Sequence, residues 1–145
     1  MELSFGVAVR QDADRIFQLN KELIDRYENV QDIPYEEVLG WVRRKIEKNI
    51  HSYTRIYADG IHAGFFRFVP NGDRMELDDL YLFPEFQSRG IGSTVIQKCC
   101  DETDLPVMLY VFLSNTGACN LYRRLGFEIQ ETVYNSRYIM VREKL

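Results

Sequence analysis

At about residue 52 the hydrophobic period of this chain changes, and that change constrains the fold more than any other feature. Ahead of it, apolar residues recur at three- and four-residue steps: Ile16, Leu19, Leu23 and Ile24, then Val38, Trp41, Val42 and Ile46. These are the stripes of two amphipathic helices. Asp12 is placed to cap the first, which fades near Tyr27, and Pro34 suits the first turn of the second. Trp41 is expected in the core. After Ser52 the period is two. Residues 52–57 and 61–69 flank Asp59-Gly60, a pair that supplies the positive φ angles of a tight hairpin turn. A second turn at 70–73 leads into a third antiparallel strand at 75–83.

Alternation at 5–10 predicts an opening strand. Beyond the meander, the pattern predicts a helix over 90–101, a strand over 106–112 and a helix over 115–125 closed by Gly126. Two final strands follow at 127–132 and 137–142, around Asn135. The order is β-α-α-β-β-β-α-β-α-β-β. The β-α-β crossover makes its two strands parallel within an otherwise antiparallel set. The expected fold is therefore α/β, a mixed sheet with helices on both faces, in a single domain spanning 1–145.

A formal net charge of −4, with no basic stripe, argues against a nucleic-acid platform. No apolar run is long enough to span a bilayer, and the N-terminus lacks a charged-then-apolar leader, so a cytoplasmic protein is expected. Cys99 and Cys100 are adjacent and Cys119 stands alone, which is neither a disulfide framework nor a zinc spacing. They read as buried free thiols. His51 and His62 read as strand residues, and no metal site is expected.

The segment FPEFQSRGIGSTVIQK sets Gly90 and Gly92 between a strand and a helix. The first amides of a helix have no intrahelical partner and carry the positive end of its dipole. Glycines there let an anion approach the main chain, and a diphosphate is the natural guest. Arg89, Ser88 and Ser93 can add donors. The nucleotide-triphosphate loop and the third glycine of the dinucleotide fingerprint are both missing.

Read together, LDDLYLFPEFQSRGIGSTVIQK resembles the coenzyme-A signature of the GNAT superfamily, the acyl-CoA-dependent N-acyltransferases. Gln87, Gly90 and Gly92 match its Gln/Arg-x-x-Gly-x-Gly/Ala core. SNTGACNLYRRLGF resembles the family's second block through Asn115, Ala118, Tyr122, Gly126 and Phe127. The two motifs cover about residues 75–128.

The resemblance implies acetyl-CoA as cosubstrate, with no metal. It implies that main-chain groups of Leu80, Tyr81 and Leu82 hold the pantetheine arm, and that the 87–93 turn (Gln87, Ser88, Arg89, Gly90, Ile91, Gly92 and Ser93) holds the pyrophosphate. Asn115 would contact the cofactor arm and Tyr122 would lie near the acyl sulfur. A phenol can protonate a departing thiolate, which suits Tyr122 as general acid. Some family members place a glutamate base where this chain has Glu76. Others place it on the fifth strand, where this chain has Tyr110. Alternation puts Glu76 and Asp78 on one face, with Asp79 opposite unless a bulge intervenes.

The implied activity is acetyl transfer to a primary amine of a small molecule or protein, by direct attack with no acyl-enzyme. Tyr27, Glu28, Asp32, Tyr35 and Glu36 make an acidic and aromatic region suited to a cationic acceptor. Tyr134 and Tyr138 are placed to line the acceptor cleft. The alternative is a non-catalytic acyl-CoA sensor on the same fold. A homodimer would form through the C-terminal strands or a sheet edge.

Overall fold

The computed structural model describes residues 1–144. Seven strands form one sheet in the order β1-β2-β3-β4-β5-β7-β6. They are β1 (Leu3–Val7), β2 (Tyr53–Ala58), β3 (Ile61–Asn71), β4 (Arg74–Leu82), β5 (Val107–Phe112), β6 (Glu128–Val133) and β7 (Arg137–Arg142). The helices are α1 (Ala13–Tyr27), α2 (Tyr35–Lys48), α3 (Ile91–Asp101) and α4 (Thr116–Arg124). Among the described residues only β4 and β5 run parallel. The predicted order and the mixed sheet are both present.

Residue parity decides which helices cover which face. Along β5, Val107, Leu109 and Val111 join the main core, while Met108, Tyr110 and Phe112 lie on the other face; Phe112 stacks on Tyr27 at the end of α1. The interior is continuous through Ile16, Ile46, Ile56, Phe65, Val95, Ile96, Leu109, Phe127 and Met140, each essentially sealed from water. Burying side chains of this size supplies the dominant favourable contribution to folding.

Local signals explain the element ends. Asp59 and Gly60 have φ of 51° and 81°, the mirror-image turn that a two-residue hairpin needs. Gly126 (φ 94°) closes α4: its N–H donates to the Arg123 carbonyl and the Phe127 N–H reaches back to Tyr122 O at 3.0 Å.

Four local expectations are corrected. Trp41 is 59% exposed, because Leu39, Val42 and Ile46 take the buried stripe of α2. His51 lies in a short 3-10 turn (Ile50–Ser52), not a strand. Pro34 is the residue that caps α2, and α2 starts at Tyr35. Asp12 sits at the α1 cap position, but its carboxylate caps nothing in α1. It accepts from the Val9 N–H at 2.8 Å and from Arg55 of β2.

Candidate functional site

The centre of the sheet is open. β4 and β5 pair only through Met75↔Val107 and Glu76↔Met108, then diverge. β4 stays paired to β3, and β5 to β7, along their outer edges. Leu77–Leu82 and residues 109–112 therefore face each other across a wedge. Their inward main-chain groups are left without a sheet partner, and such groups demand one.

At the wide end of the wedge, Pro84–Phe86 makes one 3-10 turn and the chain enters α3. Ser88 has φ 62° and Gly90 φ 81°, both left-handed. The first N–H bonded into α3 is that of Thr94, which donates to Gly90 O at 3.1 Å. The amides of Ile91, Gly92 and Ser93 thus stay free at the positive end of the helix. A Cβ on Gly92 would meet only the Leu82 Cδ1, at 3.8 Å. The fold itself does not require glycine there, and the space is left open above the free amides. Gln87 is not free: its Nε2 donates to the Leu82 carbonyl at 3.0 Å and pins the turn to the end of β4. The Arg89 guanidinium lies 5.7 Å from the Phe86 ring centre.

On the β5 side, Asn115 caps α4, its Oδ1 accepting from the Ala118 N–H at 3.2 Å. Its amide nitrogen remains available. Tyr122 packs its ring edge-on to Phe127 at 5.8 Å. Burial pushes its phenol up to about 12, with a smaller push from Cys119. The phenol therefore keeps its proton throughout the neutral range and can donate it. Cys119 is buried and its thiol is raised by burial, and burial pushes the Cys99 thiol up to about 12. Neither is a ready thiolate. The turn around Gly90 and the Asn115–Tyr122 helix thus flank the same wedge from its two sides.

The floor of the opposite face holds a cluster that the sequence reading only half anticipated. The pairing Phe65↔Tyr81 followed by Arg67↔Asp78 leaves two residues of β4, Asp79 and Leu80, opposite Phe66 alone. That is a β-bulge, with Asp79 at φ 53°. It brings Asp79 round to the face that carries Asp78. Asp78 Oδ2 accepts from Lys45 Nζ of α2 at 2.7 Å and from Arg67 Nη1 at 3.2 Å, and Arg67 Nε donates to Ser52 Oγ at 2.7 Å. Asp79 Oδ1 accepts from the Tyr81 hydroxyl at 2.9 Å and Oδ2 from the Tyr53 hydroxyl. Burial and then the Asp78 charge raise the Asp79 carboxyl above the usual range, against the pull of Lys45 and the two phenols. Glu76 is half-buried and also raised, by burial first and Asp78 second; its Oε1 accepts from Asn71 at 3.0 Å. Trp41 stands at the rim with Lys45 Nζ 5.9 Å from its ring.

The sequence carried a signal for this. In MELDDLYL the apolar positions are 75, 77, 80 and 82, a step of three inside a period of two. That slip marks the bulge. Gly64 is its counterpart on β3: a Cβ there would lie 2.0 Å from the Tyr81 carbonyl, so only glycine lets the strands approach beyond the bulge. Much of the acidic region expected to attract a cation is otherwise engaged. Glu28 accepts from Ser136 Oγ at 2.6 Å, Asp32 from Asn29, and Tyr35 donates to Asp25. Tyr134 is 93% exposed, and Tyr138 is partly buried against the core.

Comparison with known proteins bears on this geometry. A region of an uncharacterized N-acetyltransferase from Methanocaldococcus jannaschii is 37% identical over 62 residues, which are 40% of this chain and 27% of that relative. The chain thus spans about a quarter of that relative's length. The fold closely follows the PaiA N-acetyltransferase from Thermoplasma acidophilum, solved in complex with coenzyme A, with a TM-score of 0.71, 21% identity and 99% of both chains covered. It also follows a GNAT-family acetyltransferase from Streptococcus agalactiae, with a TM-score of 0.76, 15% identity, and 99% of this chain and 96% of that one covered. Residues 11–127 match the acetyltransferase (GNAT) family, so the wedge, its glycine turn and its two flanking helices belong to a chain of that family.

Proposed function

We propose that this protein transfers the acetyl group of acetyl-CoA to a primary amine by direct attack. The observation that carries the reading is the pairing of an open β4–β5 wedge with free α3 amides at its mouth. Those residues fit the cosubstrate: the amides of Ile91, Gly92 and Ser93 suit a diphosphate, with Ser88, Arg89 and Gly90 shaping the turn and Gln87 fixing it to β4. The 80–82 segment lies beyond the last β4–β5 pair, and its main-chain groups that face the wedge, apart from the Leu82 carbonyl held by Gln87, suit the two amides of a pantetheine arm, as an added strand would. Asn115 offers its free amide nitrogen from the other side. When bound, acetyl-CoA supplies an activated acyl carbon and a thiolate leaving group.

The protein's own residues then manage protons. The acceptor arrives as an ammonium and must lose a proton to expose its lone pair. As the new C–N bond forms and the C–S bond breaks, the Tyr122 hydroxyl gives its proton to the departing sulfur. The phenolate is restored by the second proton released from nitrogen, so one proton in all passes to the protein and then to water. A carboxylate of β4 receives it. Glu76 is one such group, on the acceptor face and raised by burial and by Asp78. Trp41 and Tyr110, both exposed, flank this face and suit an acceptor with apolar substance beside its amine.

The test is a panel of polyamines, amino sugars, amino acids and short peptides incubated with acetyl-CoA and read by release of free thiol. Acetylated product with at least one class is expected. Coenzyme-A binding without turnover on any amine would instead favour an acyl-CoA sensor.

A further inference from the structure

We propose that the Asp79 carboxylate, presented by the β4 bulge between the Tyr53 and Tyr81 hydroxyls, takes the proton from the acceptor ammonium, with Tyr53 as its positioning residue. This rests on the acetyltransferase reading above. Several independent features of the cluster converge on it.

The first is placement. Glu76 lies at the closed end of the wedge, at the last position that pairs with β5, and its carboxylate is tied to Asn71 beside the β3–β4 turn. Asp79 lies three residues further, inside the unpaired segment, on the face that carries Lys45, Asp78 and Trp41. The second is the backbone. An aspartate with φ 53° is strained relative to glycine, and such strain persists where the surroundings over-determine it. Here the over-determination is chemical: each oxygen accepts one phenol hydroxyl. A carboxylate has about four lone-pair sites, so two remain for an incoming N–H.

The third is charge. Asp79 is bonded by Tyr53 of β2 and Tyr81 of β4 and feels the charges of Asp78 and of Lys45 on α2, while Arg67 of β3 binds Asp78 and Glu76 lies beyond it. Asp78 is held by Lys45 and Arg67, whereas among the described residues no cation forms an ion pair with Asp79, which Lys45 reaches only by its charge. Of the two adjacent carboxyls, Asp79 is the one with no directly bonded cation, which leaves it placed to act as the base. Burial raises it and the two phenols keep its charged form accessible. Tyr53 is 1% exposed, so it acts only through Asp79. In the step itself the N–H bond of the ammonium breaks, its electron pair stays on nitrogen, and the proton forms an O–H bond on Asp79.

The experiment uses the best acceptor from the amine panel with three variants. Asp79→Asn should lower kcat/KM by about 100-fold or more with coenzyme-A affinity unchanged, and Glu76→Gln, at the other β4 carboxyl named above, should lower it at least about tenfold less. Tyr53→Phe, which keeps the ring, removes a donor that favours the carboxylate. It should move the acid limb of kcat/KM upward by about one pH unit. Carbon-13 NMR of aspartate-labelled protein without any ligand gives a second readout. The resonance lost in Asp79→Asn should titrate above the other aspartates, and move up in Tyr53→Phe by the same amount as the limb. If Asp79→Asn does not fold, Tyr53→Phe alone carries the test, its carboxyl resonance being the one that moves. A limb that stays while the resonance moves would make Asp79 structural, and a limb abolished by Glu76→Gln would move the role to Glu76. Either result overturns the assignment. Coenzyme-A binding with no turnover on any amine would overturn the transferase reading and this assignment with it.

Discussion

Arg55 reaches 43 positions back along the chain to grip Asp12 with two hydrogen bonds, Nε to Oδ2 at 2.8 Å and Nη2 to Oδ1 at 2.7 Å. Asp12 is 6% exposed and also accepts from the Val9 N–H, so one carboxylate ties the entry of α1 to β2. Burial alone would raise this carboxyl. The Arg55 hydrogen bonds, the Val9 amide and the Arg55 charge outweigh it and hold it below the usual range. Asp12→Ala leaves the Arg55 guanidinium with only the Tyr57 hydroxyl at 3.2 Å and the Val9 amide unmet, and should cost about 2–3 kcal/mol, or roughly 5–10 °C in Tm. The sign with pH follows. A carboxyl lowered on folding stabilises above its unfolded value near 3.9 and loses that contribution as pH falls through its folded value. Wild type should therefore lose stability toward acid more steeply than Asp12→Ala, as denaturant midpoints between about pH 5 and 2 would reveal.

Gly64 and Gly92 should behave oppositely. A methyl on Gly64 would lie 2.0 Å from a main-chain carbonyl, which cannot yield without dislodging the bulge. Gly64→Ala should cost more than about 3 kcal/mol in a urea titration. Gly92→Ala has room within the protein and should leave the urea midpoint within about 0.5 kcal/mol of wild type, apart from any gain in helix propensity. Its methyl would project over the free amides instead, so calorimetry should record coenzyme-A binding weakened about tenfold or more.

Tyr122→Phe removes a proton donor and nothing of the ring packing on Phe127. Steady-state kinetics should give kcat lower by about 100-fold, with KM for acetyl-CoA within about twofold. With the phenol near 12, wild type should have no alkaline limb from this group below about pH 11. An unchanged kcat would remove Tyr122 from the mechanism.

The cysteines give a prediction about covalent chemistry. All three are buried, and all three thiols are raised by burial. Ellman's reagent should label native protein slowly and all three sites after unfolding. Cys119→Ser should retain most activity, since direct attack needs no acyl-cysteine.

The sequence by itself determined a good deal. Its periodicities specify the order of elements, because alternation and the helical repeat report which side of each element meets the core. Asp59-Gly60 and Gly126 mark ends because few residues accept their backbone angles. The glycine turn and the Asn115 cap of α4 were legible because a helix entry and a helix cap are local constructions. What only the tertiary structure decided was everything that depends on partners distant in the chain. Trp41 has the helical spacing of a core residue, yet α2 turns it outward, since Leu39 and Val42 fill the contact with α1 and the sheet. Asp12 has the spacing of a cap, but Arg55 offers a stronger partner than the α1 amides. Asp79 shares a face with Asp78 because β3 and β4 slip by one residue, and Tyr53, Tyr81, Lys45 and Arg67 reach this carboxyl pair from three strands and a helix. A carboxyl's proton affinity is set by such neighbours and by burial, and neither exists until the sheet has closed around it.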